Sequence, residues 1–415
     1  MAEAHLQPEP AMDEQGALRF DIDLSQPEPI PAVGIARATE LMQDGRLHRY
    51  GEIKGQLPEP SLLEQEYAAY VGSKYCVALS SCGAAMFVAL KTLGVEPGDK
   101  VLTSTFTLAP VPGAIAHAGA DPVLVETTAA YTPDLQDLER KAASSGAKVF
   151  LISHMRGHIA DMQAVKSICD AHGIALVEDC AHTMGAKWAG RYSGTWGRVG
   201  CFSTQTYKHI NSGEGGLLVT DDDDICAKAI LYSGSYMIYA QHLCRPPMEV
   251  FDRWKHQIPN FSMRMSNAAA AMLRPQLAEL PRRARTWNRL YAQLESVLSA
   301  LPHVLVPARD PQEEYVASSI QFTLDLSPKQ IEQVMAFCDR CGLHIKWFGR
   351  EQAQGFTSNY THWHYLRQQP AVPASLGLMQ GLCDMRIALT LTDQDCQMIG
   401  RILRAALLSL NRAHV

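Results

Sequence analysis

An α/β fold is predicted for this chain, with a large domain built on a mostly parallel sheet and a smaller C-terminal α/β domain. Three observations predict it. From Tyr75 onward, short apolar runs alternate with helix-like segments, the pattern of βαβ units whose parallel strands are covered on both faces. The 415 residues exceed what one hydrophobic core usually organises, so two domains are expected. Beyond residue 300 the order changes to a smaller α/β set, Ile320 to Leu324, Lys329 to Cys341, Leu343 to Phe348 and Asp393 to Leu410.

The elements follow in order. Residues 1 to 30 are polar and proline-rich and are expected to form a disordered or extended arm. Val33 to Leu47 looks helical, and Ser61-Leu62-Leu63-Glu64 matches a capping box before a helix that Gly72 stops. The strand-like runs are Tyr75 to Leu79, Lys100 to Thr103, Pro122 to Val125, Val149 to Ser153, Ile174 to Val177 and Val199 to Phe202, with helices such as Ala84 to Leu93 and Asp161 to His172 between them. Asn267 to Ala278 and Arg282 to Leu301 read as two further helical stretches. The large domain is placed at residues 31–275 and the small one at 276–415.

Composition narrows the function. A net charge of -6 without any basic run argues against nucleic acid or an anionic membrane as the main partner. No stretch approaches transmembrane length, and the first residues carry acids and prolines where an export signal would have a positive start and an apolar segment. Eleven scattered cysteines then read as reduced thiols of a cytoplasmic protein. The lone Cys338–Cys341 pair lacks a second pair at zinc spacing, and Asp221 to Asp224 reads as a solvated helix cap, so no metal site is expected. The aromatic and histidine-rich Trp347-Phe348 and Thr361 to Tyr365 could rim a site or pack between domains.

In parallel sheets, ligands bind outside the carboxyl ends of the strands. Three polar features fall there: Ser80 to Gly83, Glu178-Asp179 and Ser203. The Ser80 to Gly83 turn runs into a helix, so it is either an ordinary N-cap or an anion site made of free amides. Lys208 follows on a loop closed by Gly213, Gly215 and Gly216. It is either a surface charge or an amine buried enough to lose its proton and form a Schiff base.

In combination these residues resemble the DegT/StrS-type pyridoxal-phosphate aminotransferases, sugar and cyclitol aminotransferases of the aspartate-aminotransferase fold (fold type I). The resemblance is colinear from Val33 to Leu301 and weak in the last hundred residues. It is carried by Ser81 to Met86, Gly98 to Leu102, the spacing of His154, Gly157, Ala160, Asp161 and Met162, then Glu178 to His182, and finally Phe202-Ser203, Lys208 and Gly213 to Gly216. It implies that Lys208 forms the Schiff base and shuttles a proton, that Asp179 keeps the cofactor ring nitrogen protonated, and that His182 contacts the cofactor's phenolic oxygen. Ser203 and the Ser81, Cys82 and Gly83 turn would hold the phosphate. Asn260 would reach the phosphate of a neighbouring subunit, making a homodimer with shared sites.

Three departures stand out. Gly83 replaces a threonine of the phosphate turn, and His182 stands where the family has glutamine. Leu108 replaces the aromatic ring that stacks on the cofactor, unless Phe106 takes over. The Schiff-base lysine, replaced by histidine in a sugar-dehydrating branch, is present. The resemblance therefore implies transfer of an amino group from an amino acid, glutamate or glutamine, to a keto or aldehyde group of a sugar, cyclitol or other intermediate. Decarboxylation, elimination or carbon–carbon bond formation on the same cofactor is one alternative, and a non-catalytic regulatory or scaffold protein another. Arg156 could bind a substrate anion or pair with a nearby acid. His209 could touch substrate, and the Arg46 to Tyr50 and Ile238 to Arg245 loops and the C-terminal domain would set acceptor specificity.

Overall fold

A computed structural model of the chain describes residues 18–50, 55–353, 359–367 and 371–412. The first half contains α1 (Ala32–Asp44), α2 (Glu59–Val71), β1 (Tyr75–Leu79), α3 (Cys82–Thr92), β2 (Lys100–Ser104), α4 (Pro110–His117), β3 (Asp121–Val125), α5 (Leu135–Ser145), β4 (Val149–Ser153), α6 (Met162–Ala171), β5 (Ala175–Asp179), β6 (Lys187–Trp188), β7 (Arg191–Tyr192), β8 (Val199–Ser203) and β9 (Gly216–Thr220). After α7 (Asp223–Ser233), α8 (Met248–Trp254) and α9 (Asn267–Ser299) come β10 (Val304–Leu305), β11 (Glu313–Glu314), β12 (Ser319–Leu324), α10 (Pro328–Arg340), β13 (Lys346–Trp347), α11 (Pro373–Gly381), β14 (Leu382–Arg386) and α12 (Asp393–Arg412).

The large sheet has the order β1-β9-β8-β5-β4-β2-β3, and only β9 runs against the others. Alternate residues of one strand enter different cores, as a period of two requires. Tyr75, Val77 and Leu79 pack with α3, α4 and α7, whereas Cys76 and Ala78 pack with α2 and α9. Both faces are therefore covered, and the strands read as continuous apolar runs.

The smaller unit is an antiparallel sheet, β10-β12-β14-β13, packed with α10, α12 and the C-terminal half of α9. Ahead of α1, residues 18–31 cross this unit as an extended strap. The Phe20 amide donates to the Cys341 carbonyl at 2.8 Å, and the Phe20 ring enters the small unit's core. Gly342, at φ +83, permits this contact, because a Cβ there would lie 2.2 Å from the Phe20 carbonyl oxygen.

Two expectations need correction. Asn267 to Ala278 and Arg282 to Leu301 are not two helices: α9 runs unbroken for 33 residues through Pro275 and Pro281. Each proline removes one backbone donor, yet packing against α1, α2 and α12 holds the helix together. The capping-box reading also fails. Helix α2 starts at Glu59, two residues before Ser61, and Glu64 faces inward to Arg49, whose guanidinium donates to both its oxygens at 2.7 Å.

No described helix is long and apolar enough to cross a membrane. The aspartate run behaves as a cap: Asp222 accepts from the Ile225 amide at 3.0 Å, and Asp223 and Asp224 pair with Lys74 and Arg253.

Candidate active site

Sheet register brings the polar strand ends together. Gly216 of β9 lies opposite both Leu79 of β1 and Ser203 of β8, so the turn after β1 and the end of β8 are neighbours. One strand further, Asp179 pairs laterally with Cys201 and Ser153. The small residue at 216 is obligatory: a Cβ would lie 2.3 Å from the Ser81 carbonyl carbon and 2.6 Å from the Cys82 amide nitrogen. Gly216→Ala is expected to destabilise the fold by about 1–3 kcal/mol through overpacking. The clash should displace the Ser81–Cys82 turn, and thermal denaturation would measure the loss.

The Ser81 to Gly83 turn is an N-cap. Ser81 Oγ caps α3 by accepting from the Ala84 amide at 3.0 Å. The Cys82 and Gly83 amides open the helix and have no carbonyl one turn back, so they and the helix dipole face the crevice. Ser203 is buried, and the Cys82 thiol lies 3.9 Å from Asp179 Oδ1. The Asp179 carboxylate is aimed by its neighbours: Ser153 Oγ donates to Oδ2 at 2.8 Å and the Ala181 amide to Oδ1 at 3.1 Å.

Lys208 points into this group. Its Nζ donates to His182 Nε2 at 2.8 Å, and no carboxylate pairs with it among the described residues. Burial, then the Arg156 guanidinium, pull its pKa down to about 7, against the opposing pull of Asp179. Burial and the charges of Lys208 and Arg156 likewise push His182 well below the ordinary histidine range, so it is a neutral acceptor. The arrangement is a deprotonatable amine beside a neutral imidazole, with an acid and a helix N-terminus within one crevice.

The other candidates divide. Arg156, left-handed at φ 56, pairs with Asp384 of β14 at 2.6 Å, so the nearby-acid alternative is the one observed. His209 is buried beside Lys208 with its ring edge-on to Trp287, away from solvent. Phe106 is committed to a cluster with Tyr131 and Phe348, which leaves Leu108, packed at the margin of that cluster, without an aromatic substitute. Trp363 is fully buried there too, so this stretch packs between the units, while Trp347 and His362 line a cavity. Asn260 is exposed, its Oδ1 accepting from the Ser262 amide at 2.8 Å, and the Ser80 amide donates to the following Met263 carbonyl.

Sequence reasoning missed several participants. Ser153 ends an apolar run as Asp179 and Ser203 do, so the same signal marks it. Asp384 and Arg386 lie where no local pattern distinguishes them. His154, Glu178 and Cys180 place ligand atoms within 4.8 Å of one another. Glu178, however, accepts from the Gly194, Trp196 and Gly197 amides at 2.7–2.8 Å, so its lone pairs hold that turn.

The chain is similar to known proteins. The sequence pattern of the DegT/DnrJ/EryC1/StrS aminotransferase family matches residues 34–404. The chain is 29% identical over 293 residues to the spore coat polysaccharide biosynthesis protein SpsC of Bacillus subtilis (strain 168), covering 68% of this chain and 71% of SpsC. It is 31% identical over 278 residues to 3-amino-5-hydroxybenzoate synthase of Amycolatopsis mediterranei (strain S699), covering 67% of each. A putative L-glutamine:3-amino-2,3-dideoxy-scyllo-inosose aminotransferase of Micromonospora echinospora is 32% identical over 54% of this chain and 52% of its own length. In fold, the chain is similar to the aminotransferase TlmJ of Streptoalloteichus hindustanus, with a TM-score of 0.80 at 21% identity over 94% of this chain and 100% of TlmJ.

Proposed function

We infer amino-group transfer at Lys208 from this premise: the chain belongs to the DegT/DnrJ/EryC1/StrS aminotransferase family and is an aminotransferase. The cofactor we propose is pyridoxal phosphate, and the site's residues fit it. The observation that carries the reading is the Lys208 amine, paired only with neutral His182, beside the Asp179 carboxylate and the Ser81 to Gly83 turn. When bound, that cofactor supplies an aldehyde to receive the amine and a ring to accept the electrons released at the donor carbon.

The chain's own residues do the rest. Lys208 would hold the cofactor, and its amine would move a proton at the donor carbon. In the unloaded protein, burial and the Arg156 guanidinium already draw this amine's pKa down to about 7, so it sheds its proton more readily than an ordinary lysine. Asp179, held by Ser153 and Ala181, keeps a ring nitrogen protonated. His182 orients Lys208 and offers a donor to a ring oxygen. The amides of Cys82 and Gly83 and the hydroxyls of Ser81 and Ser203 bind phosphate, and Leu108 packs on the ring face. Asn260, exposed on the protomer, serves a second subunit's site in a homodimer.

Glutamate or glutamine is the proposed donor, and a keto or aldehyde group on a sugar or cyclitol the proposed acceptor. The names of the relatives support this, in particular a GDP-perosamine synthase of Caulobacter vibrioides (strain ATCC 19089 / CIP 103742 / CB 15), 30% identical over 253 residues, and the glutamine-dependent inosose aminotransferase. Adding either amino acid to the cofactor-loaded protein should collapse its visible absorbance and release one equivalent of 2-oxo acid. If no common amino acid does so, the reading is wrong.

The lowered pKa gives an independent check on the unloaded protein. Only the unprotonated amine reacts with an acylating reagent, so modification of Lys208, followed by mass spectrometry, should rise with pH and reach half its maximum near pH 7. A midpoint near the ordinary lysine value of about 10.4 would mean that the amine is not desolvated.

A further inference from the structure

The backbone on either side of Lys208 is held by side chains from outside its own loop. Before it, the Tyr207 carbonyl accepts from Arg386 at 3.2 Å. After it, the His209 carbonyl accepts from Arg283 of α9 at 2.9 Å. Two residues further, Gln276 of α9 brackets Asn211: its Oε1 accepts from the Asn211 amide at 3.1 Å, and its Nε2 donates to the Asn211 carbonyl at 2.7 Å. Arg283 also donates to that Oε1 at 3.1 Å, so the two side chains form one clamp on residues 209–211.

Arg283 is 4% exposed, and the carboxylate that pairs with it comes from the strap: Arg283 Nε donates to Glu28 Oε2 at 2.9 Å. A buried guanidinium stripped of its partner is an uncompensated charge, so the clamp depends on the strap staying docked. The neighbouring Arg282 is exposed. It pairs with Glu28 at 2.6 Å and with Glu279 at 2.8 Å, and among the described residues it bonds no atom of the Lys208 loop. The strap also reaches the site directly, since Leu24 to Glu28 and Lys208 line one small cleft. Glu28 precedes residue 34, where the family match begins, so this link lies outside the stretch that the family pattern covers.

We propose that Glu28, acting through Arg283, is a positioning residue for the reacting amine: the strap locks the clamp of Arg283 and Gln276, and the clamp keeps the Lys208 loop closed so that the amine stays out of water against His182. The inference rests on the aminotransferase reading only for the identity of the reacting amine. The charged and titratable groups facing Lys208 are Arg156, Asp179, Cys82 and Arg386, with His182 and His209 beside it. Glu28 bonds to none of these among the described residues, so its removal reaches the amine through the loop.

The test uses the unloaded full-length protein. Acylation of Lys208 in wild type should reach half its maximum near pH 7. Glu28→Ala should raise that midpoint by about one unit or more, because water returns to the amine when the loop loosens. Amide hydrogen exchange across residues 206–211 should quicken in the same variant. Arg283→Met should match it, and Arg283→Lys should recover only part, since an ammonium lacks the fork that reaches Glu28, Gln276 and the His209 carbonyl together. Glu28 lies outside the hydrophobic cores, so Glu28→Ala decides the matter if the buried arginine variants fold poorly. Arg282→Gln, which removes the other cation on Glu28, should leave midpoint and exchange unchanged.

The clamp is wrong if Glu28→Ala, or a folded Arg283→Met, leaves either measurement at its wild-type value. It is equally wrong if Arg282→Gln shifts them as far as Glu28→Ala does, or if wild type itself titrates near the ordinary lysine value of about 10.4. Should Glu28→Ala raise both in a protein that takes an amino group from no amino acid, the aminotransferase reading fails and the clamp stands.

Discussion

Lys208→Ala is expected to lower amino transfer by about a thousandfold or more and to remove the covalent attachment of the cofactor. Loss of an acid–base group alone costs about 10²–10⁴-fold, and this residue is also the proposed nucleophile. The phosphate turn, Asp179 and Ser203 remain, so the cofactor should still bind reversibly, with an altered spectrum and release on dialysis. Because Lys208 reaches His182 across a crevice and not into a core, the melting temperature should change little. A variant that transfers amines at wild-type rate would show that Lys208 is not the reacting amine.

Arg49→Met should produce the largest loss of stability. Arg49, Glu64 and His242 are each essentially buried. Arg49 donates to both Glu64 oxygens at 2.7 Å, and Glu64 also accepts from the Ala78 amide at 2.7 Å. Tyr50 Oη lies 2.8 Å from His242 Nε2, so the network ties the 48–50 loop to the 239–242 turn and to β1. Removing one partner of a buried pair leaves an uncompensated charge and costs about 3–5 kcal/mol. Arg49→Met with Glu64→Gln should recover part of this, because the amide oxygen still accepts from Ala78. Thermal denaturation of the single and double variants decides the matter.

The same pair sets a pH dependence. Burial raises the Glu64 pKa, but Arg49 and His242 outweigh it and hold the carboxyl at about 2, below its reference of 4.5. Its stabilising contribution is therefore complete above pH 4.5 and is lost as pH falls toward 2, a loss that Arg49→Met should abolish.

Much of the site was legible because it is local. Polar residues at the ends of apolar runs, Ser81, Asp179 and Ser203, must share one edge of a parallel sheet, and the glycines after Lys208 mark a turn at that edge. Register then placed Gly216 between Leu79 and Ser203. What stayed hidden depends on partners distant in sequence. Arg156 could not be assigned to Asp384, nor Arg386 to the carbonyl before Lys208, without knowing how the small sheet docks. Ser61 to Glu64 misled for the opposite reason: the spacing of a cap was present, but Arg49, fifteen residues earlier, claimed the glutamate. Asn267 to Ala278 and Arg282 to Leu301 read as two stretches, yet tertiary packing carries one helix across both.

That unbroken helix bears on how the molecule can be taken apart. Leu273, Leu277 and Leu280 of α9 belong to the core beneath β1 and β9, whereas Trp287, Leu290, Leu294 and Leu298 belong to the core shared with the small sheet. One rigid rod is thus a structural member of both units, and no cut in the chain separates them cleanly. A fragment ending near residue 275 would lose Leu277 and Leu280 from its own core, and the complementary fragment would begin with exposed helix. Swapping the small unit between relatives to change specificity therefore calls for a junction before Asn267 or after Ser299, so that the whole rod travels with one parent.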